Sequence, residues 1–188
     1  MRKTRSLRYT KRFNFHHVNR SQSVAEHSFF VALYCWMIGR MTNAFDENEL
    51  AIYGLLHDIE EACTGDIPFL MRNRLPNALL SKFKAMAAAE LDIPIGDIPE
   101  RIRPIIDFAD AFELKLYLEE ERLSGNLHLY DIERETYRRL LDAELPNGVK
   151  SYFLEWIEPL EPKAYHASMT HEGEQWQVQR NSKRGSHK

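Results

Sequence analysis

The sequence predicts an all-α protein, a single bundle of helices in one domain. Apolar residues recur at steps of three and four through most of the chain, and alternating runs of Val, Ile and Thr are almost absent. The 188 residues are 44% hydrophobic and 28% charged, as in an ordinary globular domain with a full-sized core. We assign residues 1–160 to this domain and expect residues 161–188, which are polar and aperiodic, to form a flexible tail.

The first predicted helix begins where Ser23 and Glu26 can form a capping box, just before an apolar run. The residues expected on its buried face are Val24, His27, Val31, Tyr34 and Ile38. A second helix is predicted from Asp46 to Gly65, because Asp is a good N-cap and Gly a common stop signal.

Four more helices follow in the prediction. They cover residues 77–91, a segment after Pro99 that ends near residues 124–125, residues 130–144 and residues 148–156. In the segment after Pro99, Ile105, Ala109, Phe112 and Leu116 are expected to be buried, which places Asp110 at the edge of the core.

Charge and composition exclude several classes of protein. The net charge of −3 does not favour a nucleic-acid partner, and no apolar run approaches the roughly 20 residues of a membrane span. No secretory pattern is visible and the two cysteines have no metal-type spacing, so we expect a cytoplasmic protein. Residues 1–25 carry seven basic residues and no acid. This segment is either a solvated arm or a local anion site.

Four residues form a candidate metal site: His27, His57, Asp58 and Asp110. Both histidines lie on apolar helix faces, and a carboxylate at the edge of a core needs a partner because burying an unpaired charge is costly. A mixed imidazole and carboxylate set suits a divalent transition metal with open positions for water and substrate. The alternative is a buried His–Asp hydrogen-bond network without a metal.

These residues resemble a known family. His27, the His57-Asp58 pair and Asp110 resemble the H…HD…D signature of HD-domain phosphohydrolases. The segments that are similar to the small 5′-deoxynucleotidase branch are "RF" at 12–13, "VAEHS" at 24–28, "HDIEEACTGDIP" at 57–68 and "ADAFELKLYLEE" at 109–120.

The resemblance implies a role for each matching residue. His27, His57, Asp58 and Asp110 match the ligands of a divalent ion, which is Zn²⁺, Co²⁺, Mn²⁺ or Mg²⁺. Glu61 matches the acid that orients or deprotonates the attacking water, Asp66 the residue that contacts the sugar hydroxyl, and Arg12 a phosphate-binding arginine. The resemblance also implies a homo-oligomer. The neighbouring Glu60 is expected to face solvent.

Besides Arg12 and Asp66, three further residues are candidates for substrate binding: Arg20, Phe13 and Phe15. Arg12 and Arg20 lie in the acid-free segment, which is where a polyanion is expected to bind. Phe13 and Phe15 either pack on the sugar or base of a nucleotide or form a hydrophobic staple before the first helix.

Two features distinguish the chain from bacterial 5′-deoxynucleotidases. It carries Phe13 where they typically have Trp, and only 53 residues separate His57 from Asp110. The short spacing resembles that of phage-borne HD-domain dATP triphosphohydrolases, which implies hydrolysis of dATP to deoxyadenosine and triphosphate. If the chain is encoded by a phage, the expected location is the host cytoplasm. The alternatives are a 5′-deoxynucleotidase that releases orthophosphate from dNMP, and an inactive nucleotide-binding regulatory HD domain. An RNA-binding protein is not favoured, because no recognition pattern accompanies the basic arm.

Overall fold

The computed structural model describes residues 4–72, 74–93 and 97–157. It confirms the all-α prediction: in these residues the only extended pairing is an isolated bridge between Lys11 and Ser23. The predicted tail, residues 161–188, lies outside the described residues, so the domain boundary at residue 160 stays a prediction. No described helix is both long enough and apolar enough to cross a lipid bilayer.

A 3₁₀ helix, Thr4–Arg8, precedes eight α-helices in the described part of the chain. These are α1 (Val24–Thr42), α2 (Glu47–Leu56), α3 (Glu61–Thr64), α4 (Phe69–Arg72), α5 (Asn77–Leu91), α6 (Arg103–Leu123), α7 (Tyr130–Asp142) and α8 (Asn147–Leu154). The six predicted helices correspond to α1, α2, α5, α6, α7 and α8. Their predicted ends lie within a few residues of the observed ones, apart from the end of α2, which was predicted too late in the sequence.

The start of α1 is the predicted capping box. Ser23 Oγ accepts a hydrogen bond from the backbone N–H of Glu26, and the Glu26 carboxylate accepts one from the backbone N–H of Ser23 at 2.7 Å. The reciprocal pair satisfies two donors that every helix N-terminus leaves open. It also fixes the register of α1, so that His27 lies one turn inside the helix and faces the core.

The prediction of one helix from Asp46 to Gly65 is wrong. Helix α2 ends at Leu56, residues 57–60 form a turn, and α3 follows as a separate short helix. The side chain of His57 contributes to this break, because its Nδ1 atom lies 2.7 Å from the Gly54 carbonyl oxygen. In a continuous helix that oxygen would accept the backbone N–H of Asp58.

Helix α6 runs through the middle of the bundle and packs against α1, α2 and α7. Its expected buried residues Ile105, Ala109 and Phe112 are in the main core, and Leu116 is half-buried against it. Helices α1 and α2 pack closely at Gly54, where a Cβ atom would lie 2.9 Å from Cys35 Sγ. A larger residue would separate the two helices, and with them the histidines that they carry.

Candidate metal centre

Three elements bring the predicted ligands together. His27 lies in the first turns of α1, His57 caps the end of α2, and Asp110 lies in the middle of α6. One potential ligand atom from each of these three side chains lies within 4.8 Å of the others. The two imidazole rings are 5.2 Å apart between centroids. Three ligands from three helices therefore meet at one point in the bundle.

Asp58 contacts the same group from the turn after α2. Its Oδ2 atom lies 3.1 Å from His57 Nε2 and 3.9 Å from His27 Nε2. The consecutive residues His57 and Asp58 thus place an imidazole nitrogen and a carboxylate oxygen side by side. The structure brings all four predicted ligands into one cluster.

The hydrogen bonding of the two histidines fits a metal. The Nε2 atoms of His27 and His57 are both buried and, in the described residues, make no hydrogen bond. His57 Nδ1 donates to the Gly54 carbonyl, which leaves the lone pair of its Nε2 for a ligand bond. A hydrogen bond from one ring nitrogen to a backbone carbonyl is one of the usual ways in which proteins orient a metal-binding histidine.

Glu113 fixes the other imidazole and was missed by the sequence analysis. Its buried Oε2 atom makes a short contact with His27 Nδ1, so the carboxylate orients the ring and Nε2 faces the cluster. A carboxylate–histidine–metal triad has this arrangement. The signal was present in the sequence, because Glu113 follows Asp110 by three residues and lies on the same side of α6.

The electrostatics of the cluster favour its carboxylates in the charged form. Burial opposes ionisation of Asp110, but His27 and His57 outweigh it and lower the pKa of Asp110. Burial also opposes the charged form of His57, whereas Asp58 favours it and raises the pKa of His57 to about 9. Without a metal, the cluster therefore holds a proton that a bound cation would displace.

Glu61 is buried beside the cluster at the start of α3. Burial, together with the negative charges of Asp58 and Asp66, raises the pKa of Glu61 to about 9. A divalent cation next to Asp58 would offset these charges and favour the carboxylate that a general base requires. Its location is consistent with the role that the family resemblance implies.

The expectation that Glu60 faces solvent is wrong. Glu60 is buried, and its Oε1 atom accepts a hydrogen bond of 2.6 Å from Arg72 Nη2. The other guanidinium nitrogen of Arg72 donates to Asp58 Oδ1 at 2.7 Å and lies 3.8 Å from Glu61. The positive charge of Arg72 thus balances three buried carboxylates. Without a cation nearby, burying their negative charges would be costly in free energy. No sequence signal identified Arg72, since its contacts are all tertiary.

Asp66 and Phe13 meet at the edge of the site. The Asp66 Oδ2 atom accepts a hydrogen bond of 3.1 Å from the backbone N–H of Phe13, which has a positive φ of 60°. The Phe13 ring stacks on Tyr117 of α6 with centroids 5.4 Å apart. Phe13 therefore packs on α6 and does not form the staple before α1 that the sequence left open.

Arg12 lies next to the ligand His27. Its Nη1 atom is 2.7 Å from His27 Nδ1, 3.0 Å from Gln22 Oε1 and 3.2 Å from Glu113 Oε2. The guanidinium is thus held against the cluster by a buried amide and a buried carboxylate. Gln22 was another residue that the sequence analysis missed, and it also donates to Glu113 at 2.6 Å.

The structure does not join Arg20 and Phe15 to this group. The guanidinium of Arg20 pairs with Glu120 at 3.0 Å, and its side chain is 72% exposed. Its backbone N–H donates to Glu121, so the described contacts of Arg20 are with the C-terminal half of α6. Phe15 is 80% exposed.

Two imidazoles and two carboxylates that converge inside a helical bundle, with a buried glutamate beside them, are typical of a metal-dependent hydrolase. The chain belongs to the HD domain family, because the family model described as HD domain matches residues 4–115, more than half of the sequence. It is therefore an enzyme of the HD phosphohydrolase type and uses a divalent metal ion. The resemblance read from the motifs is confirmed.

Two relatives with names are similar in sequence. The chain is 27% identical over 130 residues to the dATP triphosphohydrolase of cyanophage S-2L, covering 66% of this chain and 73% of the phage protein. It is 29% identical over 164 residues to the 5′-deoxynucleotidase of Shewanella oneidensis, covering 74% of this chain and 82% of the bacterial protein.

Solved structures show the same fold. The cyanophage S-2L HD phosphohydrolase DatZ, bound to dA and one catalytic Zn²⁺ ion, superposes with a TM-score of 0.61 at 22% identity. The match covers 83% of this chain and 92% of DatZ. A conserved hypothetical protein from Pyrococcus furiosus has a TM-score of 0.56 at 19% identity, covering 74% of this chain and 92% of that protein.

Proposed function

We propose that the protein hydrolyses 2′-deoxynucleotides and that its preferred reaction converts dATP and water into deoxyadenosine and inorganic triphosphate. The observation that carries this proposal is the number of arginines beside the ligand cluster. Arg12 lies 2.7 Å from His27 Nδ1, Arg72 2.7 Å from Asp58 Oδ1, and Arg139 3.9 Å from Asp110 Oδ2. The Arg72 guanidinium already balances three buried carboxylates. Arg12 and Arg139 would therefore be the groups that bind phosphates beyond the one at the metal.

His27, His57, Asp58 and Asp110 would hold one divalent ion, with Zn²⁺ the first candidate and Co²⁺, Mn²⁺ and Mg²⁺ the others. The two buried Nε2 atoms, which make no hydrogen bond in the described residues, and the two carboxylates supply a donor set that Zn²⁺ accepts. When bound, such an ion lowers the pKa of a water molecule and polarises a phosphoryl oxygen. Glu113 and the Gly54 carbonyl keep both imidazoles in the orientation that this requires.

Glu61 acts as the general base in the proposed reaction. It accepts a proton from water as the water oxygen attacks the α-phosphorus and the bond from phosphorus to the 5′-oxygen breaks. The proton then passes from Glu61 to the 5′-oxygen, which leaves as the hydroxyl of deoxyadenosine. Burial keeps competing solvent away from the carboxyl, which suits a group that must exchange protons with only one water molecule.

The remaining predicted residues bind and select the substrate. Arg12 contacts the phosphates from one side of the cluster, and Asp66 accepts a hydrogen bond from the 3′-hydroxyl of the sugar. Phe13 holds Asp66 through its backbone N–H and crowds the 2′ position, so that ribonucleotides bind poorly. Arg20 and Phe15, both exposed, contact the outer part of the bound nucleotide.

A 5′-deoxynucleotidase is the second candidate. Its support is the similarity to the Shewanella oneidensis enzyme, which extends over more residues than the similarity to the phage enzyme. In this case the same residues act on a single phosphate, and the products are a deoxynucleoside and orthophosphate.

Chromatography of products distinguishes the two candidates. The metal-loaded protein is incubated with dATP and with dAMP in separate reactions, with ATP as the control for sugar selectivity. Deoxyadenosine and inorganic triphosphate from dATP support the preferred reaction. Orthophosphate from dAMP and no reaction with dATP would establish the 5′-deoxynucleotidase. Saturable dATP binding without either product would point to an inactive regulatory HD domain.

We also propose that the partners of the protein are its small-molecule deoxynucleotide and further copies of the same chain, with no stable nucleic-acid partner. The net charge of −3 supports the last point.

A further inference from the structure

Residues 12–22 form a loop that carries both Arg12 and Phe13 to the edge of the metal centre, and we call it the 12–22 loop. Its two ends are joined, because the backbone N–H of Arg12 donates to the Gln22 carbonyl at 3.0 Å. Its middle part, residues 14–17, is exposed. The positions of Arg12 and Phe13 therefore depend on the contacts that hold this loop against the rest of the protein.

Helix α6 holds the loop along one face. Glu113, Tyr117 and Glu121 are four residues apart, which places their side chains on the same side of the helix. Glu113 holds the two ends of the loop, since it accepts hydrogen bonds from Arg12 and Gln22. Tyr117 and Glu121 lie about one and two turns further along α6. The proposed reaction gives neither of these two residues a role.

Tyr117 contacts the loop at two points. Its ring stacks on Phe13 with centroids 5.4 Å apart, and its hydroxyl donates to the Arg20 carbonyl at 2.7 Å. Phe13 has a positive φ of 60°, which a bulky side chain rarely adopts. A backbone conformation of this kind persists only where the surrounding contacts hold it. The Tyr117 ring and the Asp66 carboxylate supply two such contacts.

Glu121 holds the part of the loop that returns towards α1. Its buried carboxylate accepts the backbone N–H groups of Asn19 and Arg20, each at 2.7 Å. Asn126 Nδ2 donates to the same carboxylate at 2.7 Å and to the His17 carbonyl at 2.9 Å. Hydrogen bonds to a charged acceptor are about twice as strong as those between neutral groups. Glu121 thus fixes the backbone of the loop.

We propose that Tyr117 and Glu121 are positioning residues for sugar selection, which fix the loop so that Phe13 stays against the 2′ position of the bound nucleotide. This inference rests on the proposed function, in which Phe13 and Asp66 recognise the sugar. Tyr117 acts through the ring of Phe13, whose backbone N–H orients Asp66. Glu121 acts by keeping Arg20, the hydrogen-bond partner of Tyr117, on α6.

Binding of two nucleosides tests the role of Tyr117. The metal-loaded protein is titrated with deoxyadenosine and with adenosine by calorimetry, and the wild type is expected to bind deoxyadenosine more tightly. Tyr117→Leu removes the stacked ring and is expected to lower this preference about tenfold. Tyr117→Phe keeps the ring and should keep the preference. Deoxyadenosine is the product of both candidate reactions, so the result does not depend on which phosphate bond breaks.

Tyr152→Leu is the matched control for the loss of a tyrosine ring. Tyr152 lies on α8, and its described ring contacts are with Phe153 and Trp156. This variant is expected to keep the preference for deoxyadenosine. A preference that fell equally in Tyr152→Leu would overturn the proposal, because the effect would not be specific to the loop.

Glu121→Gln tests the second positioning residue with little change of shape. It sets an amide NH₂ group against a backbone N–H where the wild type has an acceptor oxygen, so the preference for deoxyadenosine should fall here too. The KM of the deoxynucleotide that the wild type hydrolyses should rise while kcat stays within about twofold. The described contacts of the Glu121 carboxylate are with the loop and Asn126, which is why kcat should change little. General destabilisation would instead lower the rates for deoxynucleotides and ribonucleotides alike.

Hydrogen exchange followed by mass spectrometry checks the loop without any ligand. Peptides from the 12–22 loop are expected to exchange faster in Tyr117→Leu and in Glu121→Gln than in the wild type. Peptides from α2 should exchange as in the wild type. If Tyr117→Leu does not fold, Glu121→Gln decides the question alone.

The outcomes separate this inference from the proposed function. A weaker preference for deoxyadenosine together with faster exchange of the loop, in both Tyr117→Leu and Glu121→Gln, supports the inference. An unchanged preference in both variants, beside a wild type that prefers deoxyadenosine, overturns the inference and leaves the proposed function intact. A wild type that binds both nucleosides equally overturns the proposed sugar selection and this inference with it.

Discussion

The Nε2 atom of His27 lies 3.2 Å from the Oδ1 atom of Asp110, although 83 residues separate the two in sequence. The contact joins the N-terminal turns of α1 to the middle of α6. A metal held by these two residues, together with His57 and Asp58, would tie α1, α6 and the end of α2 to one point. Metal binding is therefore expected to stabilise the fold as well as to enable hydrolysis.

Removing one ligand should remove both effects. In Asp110→Asn the metal content is expected to fall, and chelation should no longer lower the melting temperature. In the wild type, loss of a metal present at 100 times its Kd costs about 2.7 kcal/mol of stability. Asp131→Asn is the control, because Asp131 is an exposed carboxylate on the neighbouring α7. Equal metal content in wild type and Asp110→Asn, measured by elemental analysis, would exclude Asp110 as a ligand.

Glu113 should affect the metal without binding it. Glu113→Gln keeps the shape of the side chain but replaces the charged acceptor of His27 Nδ1, and metal affinity is expected to fall about 10- to 100-fold. Titration with a competing chelator measures this change. Glu135→Gln, at an exposed position on α7, should have no effect. If Glu113→Gln bound metal as tightly as the wild type, Glu113 would have no role in orienting His27.

Glu61 should affect turnover without affecting the metal. Glu61→Gln removes the base but not the ligands, so kcat is expected to fall by roughly 10²-fold or more, with little change in KM. Metal analysis of the same variant provides the control. Turnover close to the wild-type value would mean that activation of the water needs no protein base.

The metal-free protein should lose stability as the pH rises. The pKa of His57 is about 9 in the folded state against a usual value of 6.5, so its stabilising charge is fully present below pH 6.5 and is lost towards pH 9. Glu61 acts in the same direction: its pKa of about 9 lies above the usual 4.5, and ionising the buried carboxyl destabilises the fold.

Thermal melts in chelator between pH 6.5 and 9 should therefore show a falling melting temperature. With metal present the trend should weaken or reverse, because the ligands bind in their deprotonated forms. A melting temperature that is independent of pH in chelator would contradict the protonation of this cluster.

Local patterns predicted much of the fold, and the geometry that depends on tertiary contacts was not predictable in the same way. The capping box of Ser23 and Glu26 set the start of α1 correctly, because capping depends on neighbours in sequence. The end of α2 was wrong, because His57 turns its side chain back onto the Gly54 carbonyl. Periodicity alone does not report such a bond.

The same distinction applies to the candidate site: sequence motifs identified some of its residues, and tertiary contacts alone identify the others. Motif order led to the residues that the structure gathers around one point, His27, His57, Asp58 and Asp110. Arg72 was not found, because it lies on the short helix α4 and acts only through contacts with Asp58, Glu60 and Glu61. Glu60 was misplaced for the same reason, since its burial depends on Arg72.

We propose that hydrolysis takes place at a metal held by His27, His57, Asp58 and Asp110. Titrating metal-free protein with Zn²⁺ or Mn²⁺, and measuring dATP and dAMP hydrolysis at each step, tests it most directly. The wild type is expected to be inactive without metal and to reach full activity at one ion per chain, while Asp58→Ala stays inactive throughout. The proposal would be contradicted if the metal-free wild type, or metal-supplemented Asp58→Ala, hydrolysed these nucleotides as fast as the metal-loaded wild type.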